Sequence, residues 1–257
     1  MSITPESRAN AAPPASGAVQ SIGRFVFRFR DYLAPTGLVV ILLLTHPEHL
    51  FGSKVANMWA DLLGLLLCLT GQIVRVTVIG YAYIVRGGAN KQLHAPTLVC
   101  EGFYAHSRNP MYLGNFLLLT GLAVIYNSRW VYAFALPAYL GGILSIIRAE
   151  ESFLHEKFGT DYTDYCRRVN RFWPRLHGLR ETLAPMTFDW KRVLRKEYGT
   201  TFAWTSAAIA MLIWERLVHF GYHAEAGKIM FLALAYVPIL VAYGTVRWLK
   251  KTHRLDS

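Results

Sequence analysis

Residues Tyr104–Ser128 read YAHSRNPMYLGNFLLLTGLAVIYNS, a polar stretch that passes at Pro110 straight into an apolar run. Proline suits the first turn of a helix, where its missing N–H would have no partner, and its ring pushes Asn109 toward an extended conformation. The run Met111–Tyr126 shows no apolar–polar alternation, so it reads as a helix in apolar surroundings rather than a strand. Only Asn127, Ser128 and Arg129 separate it from a second apolar run, Trp130–Ile147, and the pair reads as a tight helical hairpin. The question is why Arg108, Asn109 and Pro110 stand at the mouth of such a helix.

Composition supports a membrane setting. Of 257 residues, 53% are hydrophobic and 17% charged, against roughly a quarter charged in soluble domains. Six segments approach the roughly 20 apolar residues that a bilayer crossing needs. They are Leu33–Thr45, Met58–Tyr83, Met111–Tyr126, Trp130–Ile147, Phe202–Phe220 and Ile229–Leu249. The expected fold is all-α, a polytopic membrane bundle of about six transmembrane helices. Segments 1–32, 86–110, 148–200 and 247–257 hold 22 of the 27 Lys and Arg residues. The positive-inside rule then places these segments and both termini in the cytoplasm, most simply across the cell (inner) membrane. The net charge of +11 needs no nucleic acid, because basic loops also lie against anionic head groups.

The three cysteines, Cys68, Cys100 and Cys166, lack metal-ligand spacing and are expected to be free thiols. Residues 1–20, rich in Ala, Pro and Ser, read as a disordered tail without a secretory signal. A core over 21–180 and a basic interfacial segment with two further helices over 181–257 complete the expected organisation.

Three polar stretches interrupt the apolar background. Arg75 lies well inside the second apolar segment, where a charge must face protein or snorkel to the interface. In the loop before Pro110, Arg108 precedes a helix start whose unpaired N–H groups can receive a carboxylate or phosphate, and its planar fork grips such groups at two points. Glu150 and Glu151 follow directly on an apolar helix, with Arg148 two residues earlier. Unpaired carboxylates are costly against lipid, so one is expected to meet a cationic ligand or hydroxyls and the other Arg148 or Arg108. Phe158, Tyr162 and Tyr165 share one helical face, which reads as packing. The hairpin returns the Arg108 end and the Glu150 end to one membrane face, making a cytosol-facing pocket.

The pieces from Gly71 to Pro174, about two-fifths of the chain, resemble the isoprenylcysteine carboxyl methyltransferase and phospholipid methyltransferase superfamily. They are Gly71 with Arg75, then TLVCEGFY, RNPMYLG, the Glu150–Glu151 pair, and FGTDYTDY with Val169 and Pro174. The resemblance implies an S-adenosylmethionine-dependent enzyme whose cofactor enters from the cytosol and whose lipidic or prenylated substrate enters from the bilayer. It implies cofactor contacts from Pro96, Thr97, Leu98, Val99 and Tyr104, from Asn109, Pro110, Met111 and Tyr112, and from Glu150 and Glu151. Arg108, Arg148 and Glu150 become the expected catalytic set, with no metal. The prenylcysteine enzymes usually read Arg-His-Pro where this chain has Arg108-Asn109-Pro110. Asn109–Tyr112 matches the Asn-Pro-Met-Tyr of phospholipid N-methyltransferases. The stretch AEESFLHEKFGTDYTDY is closer to the carboxyl-methylating branch. Carboxylate O-methylation is therefore the expected activity, with phospholipid N-methylation or small-thiol S-methylation as alternatives. A sterol-type NADPH reductase and a non-enzymatic scaffold are the competing classes.

Overall fold

The computed structural model describes residues 52–81 and 97–255, together with 36–37, 40–41, 44–49 and 95. The N-terminal tail, Pro96 and much of the expected Leu33–Thr45 span lie outside the described residues. Those described form six α-helices and no strand. The helices are α1 (Lys54–Tyr81), α2 (Pro110–Tyr126), α3 (Leu136–Arg168), α4 (Leu179–Leu183), α5 (Trp190–Phe220) and α6 (Tyr222–Lys251). A single π-helical turn, Val131–Ala135, leads into α3. Pro137, which has no N–H to donate, follows that wide turn.

Three stretches, α1, Val131–Arg168 and α6, are long and apolar enough to cross a membrane, and α2 is a shorter apolar helix. In α1 the buried positions up to Arg75 are Asn57, Ala60, Gly64, Cys68, Gly71, Gln72 and Arg75, small or polar, with Val78 and Ile79 buried in the last turn, while Trp59, Leu62, Leu66, Leu69 and Ile73 are exposed. That is the reverse of a soluble amphipathic helix. It is the arrangement lipid favours, since small residues let backbones approach and polar groups find partners inside the bundle. The protein is an integral membrane protein built as a helical bundle.

The chain packs as two units. One gathers the described residues of Tyr81–Tyr112 and Ala138–Thr187, and the other those of Val39–Gly80, Leu113–Pro137 and Phe188–Ser257. In the second unit α1 and α2 meet through glycines. A Cβ on Gly71 would lie 2.7 Å from the Gly114 carbonyl oxygen, and one on Gly64 would lie 2.7 Å from that of Gly121. Side chains at either position would push the helices apart. An aromatic seam joins α5 to α6, with Phe202 and Tyr243 stacked at 4.1 Å and Ser206 Oγ 2.8 Å from the Tyr236 hydroxyl.

The helices run further than the apolar patterning indicates. The apolar run ending at Ile147 continues as helix through Glu150 and Glu151 to Arg168, broken only at Gly159, whose φ of 49° and ψ of −117° reverse the chain. A residue with a Cβ would be strained at that φ. The basic run Lys191–Lys196 is the first part of α5, started by Asp189, whose carboxylate accepts from the Arg192 N–H at 2.8 Å.

Candidate active site

The first unit builds its polar centre from two loops laced together. Arg108 N–H donates to the Asn170 carbonyl at 2.9 Å, and Arg175 N–H donates to the His106 carbonyl at 3.1 Å. The Ser107 hydroxyl donates to Phe172 O at 2.9 Å, and Asn109 Nδ2 to Arg171 O at 3.2 Å. The His106 ring closes the stack, with Nδ1 2.6 Å from Arg175 O and Nε2 2.9 Å from the Thr182 hydroxyl. His106, Ser107 and Asn109 are buried, so each polar group needs such a partner. Asn109 thereby ties the second loop to the chain as it enters α2.

The reversal at Gly159 makes this lacing possible, because it brings residues 160–175 back toward the loop before α2. Tyr162, Tyr165 and Val169 bury together, with Leu98, Cys100, Leu154 and Phe158 packed against them. The Tyr165 hydroxyl donates to Tyr104 O at 2.7 Å. The expected aromatic stripe is thus a packing face.

Glu151 is the hub. It stands 3.3 Å from Arg108 Nη1 and accepts two bonds from Arg171, at 3.0 Å from Nε and 2.6 Å from Nη2. All three side chains are largely buried, so these pairs are screened little by solvent. Desolvation works against the charged Arg108 guanidinium, but the neighbouring Cys166 and Glu151 outweigh it and leave its pKa above the usual arginine value. Arg108 Nη1 also lies 2.9 Å from the Cys166 sulfur. Its Nε is buried with no hydrogen-bond partner, a donor still in need of an acceptor.

Glu150 differs from its neighbour. It is half-buried, and among the described residues its one hydrogen bond is from the Tyr112 hydroxyl, at 2.9 Å to Oε1. Tyr112 in turn packs with Ile143, Ile146 and Ile147, with Tyr139 and Phe172 against them. One carboxylate is therefore neutralised by two guanidinium groups, while the other keeps an oxygen for a hydroxyl or ammonium donor. A molecule carrying both an anionic group and hydroxyl or cationic donors matches the unpartnered Arg108 Nε and the open Glu150 oxygen. S-adenosylmethionine, with a carboxylate, an amino group and ribose hydroxyls, carries that set of groups, so the chemistry of these residues is compatible with it.

Of the residues singled out in the sequence, Arg108, Tyr112, Glu150 and Glu151 come together here. Arg148 does not: it is exposed, and among the described residues no side chain pairs with it. Of the expected cofactor loop, Thr97 is exposed, Leu98 and Val99 are half-buried, and Tyr104 is buried. Pro110 is fully buried, and Met111 is buried with it. Arg171 and Cys166 were missed. Arg171 lies in a run of arginines after α3, and only the reversal at Gly159 singles it out.

A family model described as phospholipid methyltransferase matches residues 59–161, a span that includes Arg108, Glu150 and Glu151. The chain is 30% identical to the cobalt-zinc-cadmium resistance protein CzcN of Cupriavidus metallidurans, over 66% of this chain and 75% of that protein. It is 30% identical to the protein-S-isoprenylcysteine O-methyltransferase of Tribolium castaneum, over 47% of this chain and 43% of that one. Its identity to the same-named enzyme of Saccharomyces cerevisiae is 29%, over 54% and 62% of the two chains. No solved structure matches closely enough to add to these.

Proposed function

This chain belongs to the isoprenylcysteine carboxyl methyltransferase and phospholipid methyltransferase superfamily and is a membrane methyltransferase; from that premise we propose that it transfers a methyl group from S-adenosylmethionine to the carboxylate of a lipidic or prenylated acceptor. The observation that carries this reading is the unequal acid pair: Glu151 saturated by Arg108 and Arg171, Glu150 left open beside Tyr112.

In this reading Glu150 and Tyr112 hold the hydroxyl or amino end of the methyl donor. Arg108, fixed by Glu151, directs its permanent charge and its unpartnered Nε toward a carboxylate. Arg148, exposed and outside the ion cluster, has a peripheral part, orienting the acceptor as it approaches. The donor brings an already activated sulfonium methyl, so the protein's work is alignment in a dry pocket, worth up to about 7–11 kcal/mol for well-placed reactants. An acceptor carboxylate is ionised near neutral pH and needs no general base. The site faces the cytosol, both termini lie on that side, and the apolar tail of the acceptor enters from the bilayer of the cell membrane.

A phospholipid amine is the second acceptor to test, favoured by the family match over residues 59–161. Membranes containing the protein are incubated with radiolabelled methyl donor, and the extracted lipid is treated with mild base. A carboxyl methyl ester releases labelled methanol, as proposed. Label that survives base in a lipid amine establishes the second acceptor, and no labelled lipid or prenylated species overturns both.

A further inference from the structure

The loop after α3 has two faces. Arg171 and Phe172 turn inward, Arg171 onto Glu151 and Phe172 onto the cluster of Tyr112, Ile143, Ile146 and Ile147. Trp173 and Leu176 turn outward and are 78% and 73% exposed, two large apolar side chains three residues apart on one loop. Phe172 sets their depth. The isoleucines of that cluster lie in the apolar half of α3, one of the helices suited to crossing a membrane. Trp173 is the next residue after Phe172, on the outer side of the same loop.

Charge surrounds these two side chains. Arg168, Arg175 and Arg180 are exposed, as is Arg167, which pairs with Asp164 at 3.0 Å, and no acidic residue lies between Arg167 and Arg180 in the sequence. The loop is also held firmly, by the Arg108–Asn170 and Arg175–His106 backbone bonds and by the His106 ring.

We propose that this rim is a docking surface for anionic lipid head groups, with Trp173 and Leu176 seated at the head-group–acyl boundary and the exposed arginines over lipid phosphates. Indole rings favour that boundary, and basic residues near an anionic leaflet each contribute about 1 kcal/mol. Lipid contact on one face and Arg171 on the other then share one piece of backbone. The inference depends on membrane insertion alone, not on the identity of the methyl acceptor.

The test uses the full-length protein in nanodiscs of phosphatidylcholine, with or without phosphatidylglycerol, in which either lipid carries brominated chains. Fluorescence quenching is compared between wild type and Trp173→Phe, so that the difference isolates Trp173. The expected result is a component quenched by both brominated lipids and more strongly by phosphatidylglycerol. In an Arg168→Gln/Arg180→Gln variant that preference falls by on the order of tenfold. Two results overturn the proposal. A Trp173 component quenched by aqueous acrylamide but by neither brominated lipid faces water. One that none of these quenchers reaches is covered by protein. Methyl transfer is not read at any step, so failure here leaves the proposed function standing, and the reverse holds too.

Discussion

Two of the arginine–glutamate clusters among the described residues differ in how fully they are satisfied. In the second unit Arg75 donates to Glu197 from Nε at 2.8 Å and from Nη2 at 2.6 Å, and also engages Asn115 and Thr200. Glu197 accepts as well from Gln72 at 3.3 Å, and Gln72 in turn accepts from Trp204 Nε1 at 2.8 Å. Arg75, Gln72, Glu197 and Trp204 are all buried. Arg75 therefore faces protein and does not snorkel. In the first unit Arg108 keeps a buried Nε without a partner, and Glu150 keeps an open oxygen. Residue type alone does not separate the two: the closed network holds helices together, and under the proposed function the open one receives the methyl donor.

The largest expected effects lie in the two clusters and should be of different kinds. Arg75→Ala leaves the buried Glu197 carboxylate uncompensated and should destabilise the fold by about 3–5 kcal/mol. Thermal unfolding in detergent measures this, and a small shift would break the comparison. Arg108→Ala should instead lower methyl-transfer kcat/KM by on the order of 10²-fold or more, as for loss of an aligning charge, with a smaller change in melting temperature. Arg108→Lys keeps the charge but loses the fork, and should recover only part of that activity.

Smaller effects sharpen the contrast. Gly71→Ala places a Cβ against the Gly114 carbonyl and should cost about 1–3 kcal/mol of stability with acceptor KM unchanged, read from denaturation and initial rates. Arg129→Ala removes an ion pair with Glu48 at 3.1 Å whose side chains are 75% and 42% exposed. The expected change is under about 1 kcal/mol, at the resolution of an unfolding curve.

What the sequence discloses follows from how local each cause is. Pro110 starts a helix, the Asn127–Arg129 joint is short, and an acid pair on an apolar helix demands partners, so α2, α3 and the pairing of one acid with Arg108 or Arg148 are readable from the chain. Arg171 is not, because its place depends on a single residue with positive φ, Gly159, inside what reads as one amphipathic helix. The choice of Arg108 rather than Arg148 as partner of the acid pair is likewise settled by the hydrogen bonds that fix residues 106–109, which no periodicity encodes. Helix ends shift for a related reason: once a helix is under way, backbone hydrogen bonding carries it through polar residues such as Glu150 and Lys191.

The central claim, that the open carboxylate belongs to the methyl donor's site, is tested most directly by calorimetric titration of S-adenosylhomocysteine into the detergent-solubilised protein and its Glu150→Gln variant. Losing a charged hydrogen-bond acceptor costs about 1.5–3 kcal/mol, so affinity should fall by roughly tenfold to a hundredfold while the melting temperature of the unliganded protein holds. Equal affinity for the two proteins would contradict the account.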